Sequence, residues 1–453
     1  MKNLFSILFA VAFGICSTFA QKAPDMTGME LTAQQWNRQI YAGWNLGNTL
    51  ECPGSGWNAN STDIGWLKAY DTSAETCWGN PKTTKAMITA VKAAGFNAVR
   101  IPVRWACHIT DKAQDKMTVS DAWLQRVKEV VDYCIDNDMY VIINTHHDMW
   151  LEYQPINSKK AENNARLKAL WTNIANYFAD YDGRLAFAGT NETHIQNNWS
   201  NPTAENLAVQ NSYLQTFIDA VRATGGKNYY RHLIVQTYAC NPYYGLSNQL
   251  IVPNDVAEHG RSRMSIEFHY YNPYNYCSGE KGTGYYNYWG TKYTGTQKTA
   301  VAPDNEKTMS DFLNQVQKEW ADTGLGIVIG EWGISDRYTS SLDKKAIHDN
   351  MQYYCKYFIT EARTHGFSTF VWDNNVFGNG TEKFGIFNRT KNMQIDATWM
   401  VNGIKEGIAL GIEEVRSDAT AGSTRTYNLM GQPVNAGNNA GILIRDNQKF
   451  IVR

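Results

Sequence analysis

The chain has 453 residues, with 42 Lys or Arg against 43 Asp or Glu and a net charge of −1. This even balance argues against a polyanionic partner such as nucleic acid and against a polybasic membrane contact. Aromatic residues make up 13% of the chain, including 15 Trp and 26 Tyr. Such rings either fill a core or line a cleft that stacks on flat, hydroxyl-rich ligands, and composition leaves both uses open.

The first twenty residues have the three-part pattern of a secretory signal peptide. A basic start at Lys2 precedes an apolar run from Leu4 to Cys16, and small residues end at Ala20. This pattern predicts cleavage after Ala20 and a mature protein that is secreted or held at the cell surface. No later stretch has the ~20 apolar residues of a membrane-spanning helix. The protein is therefore not expected to be transmembrane.

Seven cysteines follow the predicted cleavage site, and none has the CxxC spacing of a metal site. An odd number leaves at least one thiol free or paired between chains. Cys134 recurs on the apolar face of a predicted helix, which favours a buried thiol. Cys52 and Cys77 lie in Gly-rich loop sequence and form one candidate bridge. The pairing of the other cysteines stays open.

Short apolar runs alternate with stretches of helical period along residues 35–410. The clearest helix begins after Ser120, a typical N-cap residue, and repeats apolar residues such as Trp123 and Val127 on one face. Apolar runs without polar alternation are typical of strands buried on both sides of a parallel sheet. Eight runs are predicted as such strands: residues 40–46, 96–101, 139–144, 185–190, 232–237, 264–268, 326–330 and 368–372.

Eight strands separated by helical sequence or long loops favour an α/β fold, a (β/α)8 TIM barrel, over a doubly wound sheet. Residues 241–263 and 277–299 are predicted as loop insertions. The main domain is placed at residues 21–410, and the polar residues 411–425 are predicted to form a linker. Three short apolar runs within residues 426–453 predict a small C-terminal β-rich module.

Polar residues stand at the carboxyl ends of the predicted strands, where barrel enzymes keep their chemistry. Glu192 follows the fourth predicted strand and Glu331 follows the seventh, on opposite sides of the ring. Two carboxylates across a barrel mouth suit glycoside hydrolysis, in which one donates a proton to the leaving oxygen and the other acts as nucleophile or base. Neighbouring Arg, His and Tyr side chains are expected to keep one carboxylate ionised and the other protonated.

The motifs at these strand ends resemble those of glycoside hydrolase family 5, and most closely its endoglucanase and xyloglucanase branch. In chain order they are Gly43–Thr49, Val99–Pro102, Asn144–Asp148, Asn191–Glu192, His269–Tyr271, Gly330–Gly333 and Val371–Asn374. The resemblance implies a secreted, retaining endo-β-1,4-glucanase (cellulase) that cuts β-linked polysaccharide by double displacement, with xyloglucan as a further candidate substrate. It implies no cofactor and no metal.

The resemblance also implies the roles of the two carboxylates. Glu192 matches the family's acid/base, and Glu331 matches its nucleophile. The chain departs from the family at Thr193, where a Pro usually follows the Asn-Glu pair, and at Ala188, a position often occupied by an acidic residue. Because Pro sets a turn and contributes no chemistry, we expect an altered loop rather than a lost site.

Seven further residues are implied to bind substrate or to orient the pair: Arg100, His146, His147, Asn191, His269, Tyr271 and Trp372. Among them, Asn191 matches the residue that holds the sugar 2-hydroxyl, and Trp372 matches the platform under the sugar at the cleavage point. His147 is harder to divide between binding and packing. About half of seven tryptophans are also expected to line the cleft: Trp44, Trp57, Trp78, Trp105, Trp150, Trp289 and Trp332.

Two other functions remain open at this point. A β-mannanase has the same fold and the same two Glu, and a non-catalytic surface protein could bind glycan without cutting it. The triplet His146-His147-Asp148 has the composition of a metal cluster, but no third ligand lies at a fixed spacing, and we expect no metal.

The C-terminal module resembles the sorting domain of proteins exported by a type IX secretion route. Residues Tyr427–Gly431 and Lys449–Arg453 provide the likeness. The resemblance implies a partner in that secretion machinery, and the alternative is a β-appendage that stabilises the chain. We expect the protein to be a monomer.

Overall fold

The structure is a computed structural model and describes residues 22–54, 56, 58–64, 72–247, 249–257, 260–279, 285–295, 301–337 and 343–417, with four strands beyond residue 425. The predicted signal peptide lies outside the described residues. Eight parallel strands form a closed barrel in which each strand pairs with the next and the last pairs with the first. They are β1 Gly43–Asn45, β2 Ala98–Ile101, β3 Tyr140–Asn144, β4 Leu185–Ala188, β5 Leu233–Gln236, β6 Met264–Tyr270, β7 Gly326–Trp332 and β8 Ser368–Val371. The predicted TIM barrel and its eight strands are confirmed.

Helices precede and surround the barrel: α1 Ala33–Gln39, α2 Lys85–Ala93, α3 Asp121–Ile135, α4 Asn157–Tyr177, α5 Ala204–Ala223, α6 Glu306–Glu319, α7 Lys344–Thr364 and α8 Thr398–Ser417. The Ser120 side chain accepts a hydrogen bond from the backbone N–H of Trp123, so the predicted N-cap of α3 is confirmed. The described residues between β5 and β6 form 3-10 turns rather than a helix. This part of the barrel mouth is therefore built from loop.

Two separate apolar clusters form the core of the protein. The larger lies between the strands and the outer helices. The smaller lies inside the lower end of the barrel, where Trp36 of α1 closes the opening and packs with side chains such as Ile142 and Phe370. Gly43 makes this packing possible, because a Cβ there would lie 2.3 Å from the Phe370 ring. The interior is thus closed mainly by apolar groups at this end.

The C-terminal region differs from the prediction at its start. Helix α8 extends to Ser417, so residues 411–417 of the predicted linker are helical. Ile404 and Ile408 anchor α8 in the core, and the polar sequence that follows continues the helix instead of leaving it. Residues 418–425 lie outside the described residues.

Beyond residue 425 the described strands form one antiparallel sheet in the order β10-β9-β11-β12. They are β9 Thr426–Asn428, β10 Pro433–Val434, β11 Gly441–Arg445 and β12 Gln448–Val452. The sequence predicted three strands in this module. In the structure Pro433 pairs with Tyr427 as part of a fourth strand.

The seven cysteines after residue 20 are free thiols. The candidate Cys52–Cys77 bridge is therefore not formed. Within the described ranges, no helix is both long enough and apolar enough to cross a membrane.

Candidate active site

The structure brings the two predicted catalytic carboxylates to the same end of the barrel. Glu192 follows β4, and Glu331 is the penultimate residue of β7. One oxygen of each and a ring nitrogen of His269 all lie within 4.8 Å of one another. The Glu192 side chain is 21% exposed and the Glu331 side chain 8% exposed, so both carboxylates are mostly buried.

Two different donors hold Glu331. The Arg100 guanidinium donates from Nη1 to Oε1 at 2.9 Å, and the Tyr271 hydroxyl donates to Oε2 at 3.1 Å. Arg100 is completely buried on β2 and also donates to Asn45 Oδ1 at 3.0 Å. Since charge-assisted hydrogen bonds are the strong ones, these contacts fix the Glu331 carboxylate in one orientation.

Asn191 has one side-chain group used and one free. Its Oδ1 accepts a hydrogen bond from Arg100 Nη2 at 2.8 Å. Its Nδ2 is buried and has no hydrogen-bond partner within the described part of the chain. A buried donor left unpaired is costly unless a ligand satisfies it. Asn191 is therefore oriented by Arg100 so that it can donate to an acceptor in the cleft.

His269 bridges the two carboxylates. Its Nδ1 lies 2.6 Å from Glu192 Oε1 and 3.6 Å from Glu331 Oε2. Burial disfavours the charged imidazole, but the Glu331 and Glu192 carboxylates hold the pKa of His269 well above its ordinary value. His269 is therefore an imidazolium in the free site.

The pKa values of the pair are split, but in the opposite sense to the one that the acid/base role of Glu192 requires. Burial would raise the pKa of Glu192, yet the hydrogen bond from His269 holds it below its ordinary value. Burial raises the pKa of Glu331, against the attraction of His269 and Arg100 and together with repulsion from Glu192. In the free site the proton nearest Glu192 thus resides on His269, and the 2.6 Å contact lets the two side chains share it.

Aromatic rings form the wall beside the pair. The rings of His146 and Trp372 are parallel, with centroids 6.0 Å apart and an interplanar angle of 7°. Burial, with His147 and Arg100 nearby, holds the pKa of His146 well below its ordinary value, so this ring stays neutral. His146 therefore offers a flat, uncharged surface and a ring nitrogen to the cleft.

His147 continues this wall outward. Its ring centroid lies 4.3 Å from that of His146 and 6.1 Å from that of Trp78, which is 40% exposed. Its backbone has a φ of 57° and donates to Glu152 Oε1 at 2.9 Å. The nine predicted site residues thus all lie at or just beyond the carboxyl ends of the barrel strands.

Other expectations about the cleft do not hold. Five of the seven tryptophans are core residues, 0–1% exposed: Trp44, Trp105, Trp150, Trp289 and Trp332. Trp57 lies outside the described residues. Asp148 is buried and accepts hydrogen bonds from the backbone N–H groups of Trp105 and Ala106, so it supports the loop that follows β2.

Two residues of the site were missed from the sequence. Asn45 donates to the carbonyls of Gly330 and Phe370 at 2.9 and 3.0 Å and thereby ties β1 to the strands beside it. Glu267 is completely buried on β6, two residues before His269 and so on the same side of the strand. The available signal was a carboxylate inside a strand that was predicted to be buried on both sides.

Within the described ranges, Glu192, His269 and Glu331 are the group whose ligand atoms are close enough to hold a metal ion. Arg100 already pairs with Glu331, and the imidazolium of His269 pairs with Glu192. The charges that a cation would balance are therefore balanced by protein groups. The donor set is better matched to proton transfer.

Residues 57–378 match the family model described as cellulase (glycosyl hydrolase family 5). Endoglucanase B of Clostridium cellulovorans is 35% identical over 402 residues, covering 88% of this chain and 78% of that protein. A solved Bacteroides ovatus GH5 xyloglucanase, in complex with an XXXG heptasaccharide, superposes with a TM-score of 0.74 at 32% identity, covering 86% of this chain and 79% of the other. A GH5 lichenase from Caldicellulosiruptor sp. F32 gives 0.73 at 28% identity, covering 90% and 100%. From these matches and the shared barrel, the chain belongs to glycosyl hydrolase family 5 and is an enzyme that hydrolyses glycosidic bonds.

Proposed function

We propose that the protein is a secreted, retaining endo-β-1,4-glucanase, with xyloglucan among its substrates. The observation that supports it most is the spacing of the catalytic pair, whose nearest oxygens lie within 4.8 Å. Retaining glycosidases have carboxyl groups roughly 5–5.5 Å apart, whereas inverting enzymes need ~6.5–9.5 Å to admit a water molecule. The short spacing favours direct attack by one carboxylate.

In the first step Glu331 attacks the anomeric carbon, and the bond from that carbon to the leaving oxygen breaks. The leaving oxygen takes a proton from Glu192, which receives it from His269 across their 2.6 Å contact. The products are a glycosyl ester on Glu331 and a free chain end. Arg100 and Tyr271 keep the attacking carboxylate in place.

In the second step Glu192 accepts a proton from water, and the water oxygen attacks the anomeric carbon. The ester bond to Glu331 breaks, and the sugar leaves with its original configuration. During both steps Asn191 Nδ2 donates to the sugar 2-hydroxyl, and Trp372 supports the ring from below. The unpaired Asn191 donor and the parallel His146 and Trp372 rings support these roles.

A β-glucan substrate is supported by the names of the relatives, which are an endoglucanase, a xyloglucanase and a lichenase. The exposed Trp78 at the outer end of the aromatic wall gives a long chain a further surface to stack on. An endo mode of attack follows if a polymer binds along this wall on both sides of the cleavage point.

Export through residues 1–20 and recognition of the C-terminal module by the type IX secretion machinery are part of the same proposal. The sequence of the first twenty residues and the likeness around Tyr427–Gly431 support them. Secretion is tested by comparing the full-length chain with a chain cut before residue 426. The proposal expects only the full-length chain outside the cell, and equal export of both overturns the sorting role.

The catalytic proposal is tested with purified protein on carboxymethylcellulose, xyloglucan, mixed-linkage glucan and mannan. We expect rapid loss of viscosity and release of reducing ends from the β-glucans, with the β anomer as the first product by NMR. Glu331→Gln should lose at least about 10⁴-fold in kcat, because the nucleophile is gone, yet still retain polymer binding. Glu406→Gln, on the exposed surface of α8, is the matched control. A first product of α configuration, or mannan as the preferred polymer, overturns the assignment.

A further inference from the structure

A third carboxylate lies beneath the catalytic pair, and the mechanism above does not use it. Glu267 is completely buried, and its Oε1 lies 2.9 Å from Arg100 Nε and 3.6 Å from His269 Nε2. Its Oε2 accepts a hydrogen bond from Gln236 Nε2 at 2.7 Å. Glu267 thus contacts both cations of the site, on the sides that face away from Glu331 and Glu192.

The fold provides a specific place for this carboxylate. A Cβ at position 330 would lie 1.8 Å from Glu267 Oε1, so the glycine just before Glu331 leaves the space that Glu267 occupies. Gln236 is itself fixed, because its Oε1 accepts from the backbone N–H and the hydroxyl of Thr190 at 2.9 and 2.8 Å. Strands β5, β6 and β7 therefore all contribute to the position of Glu267.

The charges in this cluster are unequal. Arg100 and His269 are two cations, and Glu192, Glu331 and Glu267 are three carboxylates. Without Glu267, the two cations would face the catalytic pair alone and neutralise both of its charges. Ionised Glu331 would then be a weaker base and nucleophile, and His269 would release its proton more readily.

We propose that Glu267 is a positioning residue: it fixes Arg100 and His269 from below, and its negative charge offsets these two cations so that Glu331 stays reactive and His269 keeps its proton. This inference rests on the hydrolytic function proposed above. Glu267 touches no sugar in this arrangement and acts only through its neighbours.

The other titratable groups around Glu267 set the sign of the effect. Burial would raise the pKa of Glu267, but Arg100 and His269 hold it below its ordinary value, so Glu267 is ionised. Cys240, near His269, has a pKa raised by burial to about 12 and stays neutral. Removing the charge of Glu267 must therefore lower the pKa of both Glu331 and His269. Ionisation of Glu331 sets the acid limb of the pH profile of kcat/KM, and loss of the His269 proton sets the basic limb, so both limbs move to lower pH.

The test compares kcat/KM against pH for the wild type and Glu267→Gln, which keeps the side-chain shape and loses the charge. We expect both limbs to move down by about one pH unit, kcat to fall at least about tenfold and KM to stay within about twofold. The matched control is Asp255→Asn, which removes a buried carboxylate paired with Arg222 outside the site and should leave the limbs unmoved. Unmoved limbs in a folded Glu267→Gln protein overturn the proposal.

A second readout does not depend on activity. Histidine NMR, with the His269 signal assigned through a His269→Asn variant, should show the pKa of His269 falling by about one unit in Glu267→Gln. If the wild type proves inactive while this shift is seen, only the proposed function fails. If Glu267→Gln does not fold, Glu267→Asp is measured instead. Because Glu267→Asp keeps the charge but shortens the side chain, we expect both limbs of its pH profile to match those of the wild type and its kcat to fall at least about tenfold. An unchanged kcat in Glu267→Asp overturns the positioning role.

Discussion

At the scale of single residues, the two donors on Glu331 differ in kind. Arg100 contributes a permanent charge, and Tyr271 contributes a neutral hydroxyl. Burial and the nearby Glu331 carboxylate raise the pKa of Tyr271 well above its ordinary value, so the hydroxyl keeps its proton and always donates. Tyr271 can therefore be removed without changing the charge of the site.

Tyr271→Phe is expected to lower kcat/KM by about 10- to 100-fold, because a hydrogen bond to a charged group contributes roughly 1.5–3 kcal/mol. Steady-state kinetics on a soluble β-glucan measure this. Tyr270→Phe is the matched control, since that ring packs outward against Phe312 and Phe358 and should keep wild-type rates. An equal loss in both variants would show that the hydroxyl of Tyr271 has no special role.

At the scale of elements, the strands were predictable and the partners of the side chains were not. Continuous apolar runs marked all eight strands, and a polar residue directly after such a run has to lie at the barrel mouth. Glu192 and Glu331 could therefore be found from the sequence. For Glu267 the sequence offered a carboxylate inside a predicted strand but not its role, because its partner Arg100 is 167 positions away in the chain and only the closed barrel brings them together.

The sequence also could not show which of Glu192 and Glu331 is protonated in the free site. Which of two glutamates keeps a proton depends on a few tenths of an ångström in contacts such as that between Glu192 and His269, and residue types do not specify those distances. The prediction that about half of the seven tryptophans line the cleft was wrong for a related reason. Trp289 follows loop sequence, yet its ring packs against Tyr354 and Tyr357 of α7 and lies in the core.

Helix α1 makes a prediction of its own about stability. Trp36 fills the lower end of the barrel, contacts the rings of Tyr140 and His232, and donates to the Gly183 carbonyl at 2.8 Å. Trp36→Ala should lower the free energy of unfolding by about 3–5 kcal/mol, because it opens a cavity in a filled core. Activity well below the unfolding temperature should persist, since the catalytic pair lies at the other end.

The control for this variant is Leu410→Ala, which shortens a 37% exposed side chain on α8. A change within about 0.5 kcal/mol is expected there. Denaturant unfolding followed by fluorescence measures both. A Trp36→Ala protein as stable as this control would mean that α1 does not close the barrel in solution.

At the scale of the whole molecule, the barrel is apolar at one end and charged at the other, and one histidine is buried at the apolar end. His232 shares a 2.6 Å hydrogen bond with Ser265. Burial, helped by Arg222 and Arg263, lowers the pKa of His232 to about 3. Between about pH 3 and pH 6.5 the ring is therefore neutral in the folded protein but protonated in the unfolded chain, where the pKa is about 6.5.

Because of this residue, the free energy of unfolding should decrease as the pH falls. Below pH ~6.5 the unfolded chain binds a proton that the folded state refuses until about pH 3, which removes about 1.4 kcal/mol per pH unit. The advantage of the wild type over His232→Gln, which cannot titrate, should therefore shrink from pH 7 to pH 4. Denaturant unfolding at several pH values measures it, and a constant difference would contradict a buried neutral imidazole.

The space that Gly330 leaves for Glu267 has a consequence for how this enzyme can diverge. While a glutamate occupies position 267 as it does here, a Cβ at position 330 would collide with its carboxylate, so Gly330 cannot be replaced by a larger residue. Position 267 must first shrink before position 330 is free to vary. The two sites are therefore epistatic in one direction, and a lineage that passes from this arrangement to another must change them in that order.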